Sequence, residues 1–172
     1  MGRRDRGRTP RGGRAMSGPL YRHIGCCIDD SPGAELALAH ARALWSPGQA
    51  HLSLVHVAPH PLLFESIDRS TVPSPVDINS TERAWLDARA REIPGAMPVL
   101  LEGLAGPEIC RWAATSGVDL LVAAAGGGGW ATAVLGSVTR HLVDHAPCPA
   151  LVVRENRRAQ MAHGPTTSEA SQ

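Results

Sequence analysis

Residues 120–153 read LLVAAAGGGGWATAVLGSVTRHLVDHAPCPALVV. An apolar run leads into Gly126, Gly127, Gly128 and Gly129, and Gly136-Ser137 then opens a helical pattern that Pro147 stops. Leu120 to Thr139 carries no charge over twenty residues, about the length of a membrane span. Four consecutive glycines cannot propagate a helix, however, because each costs backbone entropy and exposes the backbone to water. The stretch therefore predicts a buried strand at 119–124, a glycine loop, a helix at 137–145 and a last strand at 149–153.

The same alternation extends back through the chain. Residues 22–28 form a short β-type run. Ser31-Pro32 then signals a helix start, with Ser as N-cap, Pro as first helical residue and Glu35 in the first turn. That helix is expected to run to Leu44 or Trp45 and to stop at Pro47-Gly48. A second strand is read at 51–57 and a long Pro- and Ser-rich loop at 60–79. A helix at 80–92 is followed by a strand at 97–102. A further helix at 107–116 places Ile109, Trp112 and Ala113 on one face, with Gly117 as its stop. Strands alternating with helices imply right-handed βαβ units. The expected fold is a single α/β domain, a five-stranded parallel sheet with helices on both faces, of the Rossmann-like type.

Size and charge bound the function. A chain of 172 residues with 43% hydrophobic and 19% charged residues suits one domain with a real core. All 17 basic residues are Arg. Without Lys, a Walker-type phosphate loop and a Schiff-base enzyme are both excluded. Residues 1–19 carry six Arg against one Asp, while residues 20–154 carry nine Arg against thirteen acids. The folded part is thus mildly acidic and lacks the basic footprint of a nucleic-acid binder. Residues 1–19 and 155–172 are expected to be disordered tails flanking a domain at 20–154. Met16 stands just ahead of the first strand, so the simpler expectation is a start placed too far upstream. The alternative is a basic arm for an acidic partner. Cys26, Cys27, Cys110 and Cys148 make no C-x-x-C pair, and no apolar segment follows the Arg-rich start. Buried, reduced thiols in a cytoplasmic protein are expected, with no membrane association.

In a parallel sheet, ligands bind at the C-terminal ends of the strands where strand order reverses. The residues to inspect are Asp29-Asp30-Ser31, Val57-Ala58 and the glycine run. Glycines let a backbone approach an anion closely, and the Gly136-Ser137 helix start adds free N–H groups, partial positive charge and a hydroxyl. Nine residues separate Gly126 from Gly136, so a loop and a helix end would face one anion.

At this point a resemblance becomes specific. Ala123-x2-Gly126-x9-Gly136-Ser137 is similar to the G-x2-G-x9-G-[ST] loop of the universal stress proteins that bind ATP. The phrase 145–153, HAPCPALVV, resembles that family's last helix and strand. Ile28-Asp29-Asp30-Ser31 resembles its first strand and D-x-S turn, and Leu54-Val55-His56-Val57 its second strand. The resemblance covers residues 20–154. It implies that Ile28 and Asp29 lie by the adenosine and that the backbone of Val57 reads the adenine. Ala123 stands at the first position of the loop motif, and Gly126, Gly136, Ser137 and Val138 would hold the phosphates. ATP, with or without Mg2+, is the implied ligand, in a protein of stress response or regulation rather than a dedicated catalyst. A homodimer through the last strand, Pro149 to Val153, is implied as well. Two positions depart from the pattern: Ala123 and Asp30 each replace a glycine.

The same residues admit other readings. A dimeric interaction module of the same fold, without nucleotide, is the alternative that Ala123 and Asp30 support. No catalytic constellation is visible, so slow ATP hydrolysis is the most that is expected, with Asp29 the only nearby base. His141 and His145 have metal-ligand spacing but no third ligand, so no metal site is expected. His56 reads as a packed strand histidine. His23-Ile24-Gly25-Cys26 brushes the H-I-G-H signature of nucleotidyl transferases, whose second signature needs Lys, and that reading is rejected.

Overall fold

The computed structural model describes residues 18–58, 75–126 and 135–154, the first four residues of the second stretch in backbone only. The expected tails, apart from Gly18 and Pro19, lie outside the described residues, as do residues 60–74 of the expected loop 60–79 and Gly127 to Gly129. Nine elements follow in order: β1 (His23–Cys27), α1 (Pro32–Leu44), β2 (His51–Ala58), α2 (Pro75–Arg91), β3 (Ala96–Glu102), α3 (Ala105–Ser116), β4 (Leu120–Ala124), α4 (Ser137–His145) and β5 (Ala150–Val153).

The strands form one parallel sheet in the order β3-β2-β1-β4-β5. Alternation along each strand divides the core in two. Ile24, Cys26, Leu52, Leu54, Leu120 and Val122 pack on one face with Ala34, Ala37, Leu38 and Ala41 of α1 and Leu86 and Ala90 of α2. Val55, Leu121 and Ala123 pack on the other with Ile109 and Ala113 of α3 and Leu142 of α4. Small residues let these helices lie close. A Cβ on Gly106 of α3 would fall 2.7 Å from the Cβ and Cγ of His141, so α3 and α4 touch at backbone range. Both faces are covered by helices, as the apolar parallel strands require.

The predicted starts and stops hold within two residues except at the start of α2. α2 begins at Pro75 rather than Ser80, and Pro at the first helical position explains why. The Pro- and Ser-rich composition concealed that start, because the same residues also mark loops. α3 begins at Ala105, which places Pro107 inside the first turn, where its missing N–H breaks no helical bond. Its end is as predicted: Gly117 takes a left-handed φ of 66°. Asp119 lies just before β4. Its carboxylate accepts from the backbone N–H groups of Arg22 at 2.8 Å and His23 at 3.0 Å, tying the start of β1 to that of β4.

All four cysteines are free, but only Cys26 is buried; Cys27, Cys110 and Cys148 are half-buried. Cys148 precedes β5. No helix among the described residues is long and apolar enough to cross a membrane.

Candidate functional site

The strand order reverses between β1 and β4, whose C-terminal ends lie side by side. α1 leaves the first end toward one face of the sheet and α4 follows the second toward the other. A crevice at such a point is where open α/β sheets take their ligands.

On the β1 side, the Ile28 N–H donates to the Val55 carbonyl at 2.9 Å. The Ile28 carbonyl accepts from His56 Nδ1 at 2.9 Å. Asp29 and Asp30 are exposed. Asp29 Oδ1 accepts from the Ser31 N–H at 3.2 Å and also from the Ser31 hydroxyl. Ser31 Oγ in turn accepts from the Ala34 N–H at 3.3 Å, capping α1 as the sequence predicts. Asp29 therefore shapes the turn through one carboxylate oxygen.

On the β4 side, the two outer elements of the loop motif converge. Gly126 has a φ of 106° and lies against Gly136. The Gly136 N–H donates to the Ala125 carbonyl at 3.0 Å, and the Ala125 N–H to the Val153 carbonyl at 2.9 Å. Thr139, 2% exposed, donates its hydroxyl to the Ala124 carbonyl at 2.6 Å. These bonds fix the root of the loop. Gly136 is the N-cap of α4 and supplies no side-chain cap, so the first N–H groups of the helix have no side-chain acceptor there. Ser137 is exposed at that end, and Val138 packs inward against the α3–α4 face.

The first turn of α1 comes close to this root. A Cβ on Gly33 would fall 3.0 Å from the Ala124 methyl, so glycine lets the helix approach β4. Ala123 is 5% exposed and its methyl packs in the α3–α4 core, not at the strand end. Val57 lies on β2, one strand away from the glycine pair across β1.

An open cleft of about 350 Å³ adjoins the β1–α1 turn. It is lined by Asp29, Asp30, Ser31, Pro32 and Glu35 together with Trp85 and Arg89 of α2. Arg89 pairs with Glu35 and, at 2.8 Å, with Glu92. No group of three or more His, Cys, Asp or Glu among the described residues is placed to hold a metal ion. His141 and His145 stack with ring centroids 4.4 Å apart.

Three contributors escape a reading of the sequence. Thr139 has no motif of its own. Gly33 leaves one signal, a glycine in a first turn where a helix former is expected. His56 is more than a packed strand histidine: it bonds Ile28, and its Nε2 lies 3.0 Å from Glu82 Oε2, outside hydrogen-bond geometry.

A parallel five-stranded sheet with a glycine loop at its reversal point defines a Rossmann-like α/β protein. The chain belongs to the universal stress protein family, whose model matches residues 20–154. Universal stress protein UspA from Lactobacillus plantarum is 23% identical, with a TM-score of 0.61 over 78% of this chain and 98% of its own. A universal stress protein family member from Burkholderia pseudomallei is 25% identical, with a TM-score of 0.58 over 80% of this chain and 99% of its own. A universal stress protein in complex with cAMP is 18% identical, with a TM-score of 0.58 over 79% and 99%. No curated protein matches the chain.

Proposed function

We propose that the chain binds an adenine nucleotide, ATP, across the C-terminal ends of β1, β2 and β4, and that it acts in stress response or regulation rather than as a dedicated catalyst. The observation that carries this reading is the contact between Gly126 and Gly136, which brings the uncapped start of α4 to the root of the glycine loop at the sheet's reversal point. Backbone N–H groups, the Ser137 hydroxyl and the helix dipole can hold phosphate there without Lys. Val138 lines the same helix start. On the β1 side, Ile28 and Asp29 would border the adenosine and the Val57 backbone would meet the base. Ala123 is compatible with this reading, because its methyl packs in the core. Mg2+ would accompany the phosphates, with Asp29 and Asp30 the nearest carboxylates. The cAMP bound by one relative supports the ligand class.

Turnover is not part of the proposal. Asp29 is the nearest base, and its Oδ1 is already engaged by Ser31. The proposed setting is cytoplasmic, as a homodimer paired through the β5 edge; sedimentation at micromolar concentration checks the dimer.

A second reading keeps the fold and the dimer but loses the nucleotide. The exposed pair Asp29 and Asp30 favours it, because two carboxylates at the mouth repel phosphate. Nucleotide extraction from purified protein, with an ATP and Mg2+ titration, separates the two. Saturable ATP binding that Gly136→Val abolishes supports the nucleotide reading; no binding in the parent protein overturns it.

A further inference from the structure

We infer that His56 is a positioning residue for base recognition: it draws the Ile28 carbonyl out of the sheet ladder and so leaves the backbone N–H and C=O of Val57 open at the crevice. The inference rests on the nucleotide reading above and assigns a residue that the loop motif does not contain.

In a parallel ladder the N–H and C=O of one residue point to the same neighbour, and successive residues point to opposite sides. On β2, the His51 N–H donates to the Arg22 carbonyl at 2.7 Å and the Val55 carbonyl accepts from the Ile28 N–H at 2.9 Å. Both residues therefore face β1. The Ala58 carbonyl accepts from the Gly103 N–H at 3.0 Å, so the intervening set faces β3. Val57 belongs with His51 and Val55. The next rung of the ladder would run from the Val57 N–H to the Ile28 carbonyl.

That rung is not made. The register ends at the Cys27–Val55 pair, and no backbone hydrogen bond joins Val57 to Ile28. The Ile28 carbonyl accepts from His56 Nδ1 instead, at 2.9 Å. A carbonyl only accepts, so Nδ1 carries a proton. The ring packs against α2. Its centroid lies 5.0 Å from that of Trp85 in an edge-on arrangement, and Nε2 faces the Glu82 carboxylate at 3.0 Å. His56 is only 14% exposed in its side chain, so the ring has little freedom to leave.

The consequence is a donor and an acceptor side by side on Val57, at the position where β1 has turned away. Adenine offers the complementary edge, a ring nitrogen that accepts beside an amino group that donates. Closing the missing rung would use up the Val57 N–H and remove half of that edge.

The test uses the full chain without ligand, then with it. Amide exchange by NMR reads the Val57 N–H in the parent protein, in His56→Leu and in His56→Asn, whose amide N–H can replace Nδ1. The expected result is fast exchange at Val57 in the parent and in His56→Asn. In His56→Leu the rung closes and exchange slows about tenfold or more, the effect of one hydrogen bond. ATP affinity falls about tenfold in His56→Leu and recovers in His56→Asn, while inorganic triphosphate binds all three alike. Protection of Val57 in the parent protein overturns the inference, whether or not His56→Leu folds. So does an equal loss of ATP and triphosphate, which would make His56 a general support of the fold. If the parent binds no ATP, the nucleotide reading fails and the exchange data alone decide the role of His56.

Discussion

Gly126 and Gly136 lie backbone to backbone: a Cβ on Gly126 would fall 2.8 Å from the Gly136 nitrogen and 2.9 Å from its Cα. The contact joins the exit of β4 to the start of α4. Gly126→Ala meets this clash and must also hold a φ of 106°, where side chains are strained. It is expected to cost about 1–3 kcal/mol of stability and to weaken ATP binding about tenfold or more. Thermal unfolding and nucleotide titration of the variant read both effects.

Thr139 anchors the same root from inside. Thr139→Val keeps the shape and removes the hydroxyl, leaving the Ala124 carbonyl short of a donor. The expected cost is about 1–2 kcal/mol in denaturant unfolding. Thr139→Ser keeps the donor and is expected to lose less, by the smaller amount due to one methyl group. Equal losses in the two variants would show that packing, not the hydrogen bond, holds the root.

The α3–α4 contact makes a prediction independent of any ligand. Gly106→Ala places a methyl 2.7 Å from His141 and is expected to destabilise the fold by about 1–3 kcal/mol. His141→Gly removes both the obstructing Cβ and the ring. The double variant is therefore expected to be more stable than the two single losses would sum to, as a double-mutant cycle measures.

Burial, with a smaller contribution from Glu35, pushes the Cys26 thiol up from 9.0 to about 12. Desolvation raises Cys27, Cys110 and Cys148 as well. The thiolate is the nucleophile, so Cys26 is expected to resist alkylation at pH 8.5 while the partly exposed Cys110 and Cys148 react first. Peptide mapping after limited iodoacetamide treatment checks the order. The sign for stability follows from a raised pKa: the contribution of Cys26 is fully present below pH 9 and is lost as pH rises toward about 12. Cys26→Ala is expected to flatten that alkaline fall.

Much of the architecture is legible in local residue patterns. Ser31-Pro32, Gly117 and Pro147 mark ends because caps, left-handed backbone and missing N–H groups act within a few residues. β4 and β5 are legible because strands covered on both faces are apolar throughout. The start of α2 at Pro75 is not, since proline serves loops and first turns alike. The site divides in the same way. Gly126, Gly136 and Ser137 announce themselves by type and spacing. His56 does not: its side chain acts on Ile28, 28 positions earlier in the chain.

The sequence alone determined the fold class, the order of elements, the absence of a lysine-based phosphate loop and the family resemblance. All of these depend on residue type and near neighbours. Only the tertiary structure decided that Ala123 turns its methyl into the core, that Gly33 lets α1 approach β4, and that Thr139 and His56 hold the Ala124 and Ile28 carbonyls. Those facts depend on which strand lies beside which and on the direction each peptide points. Strand neighbours and peptide orientations are set by the packed sheet as a whole, so they exist only once the chain has folded.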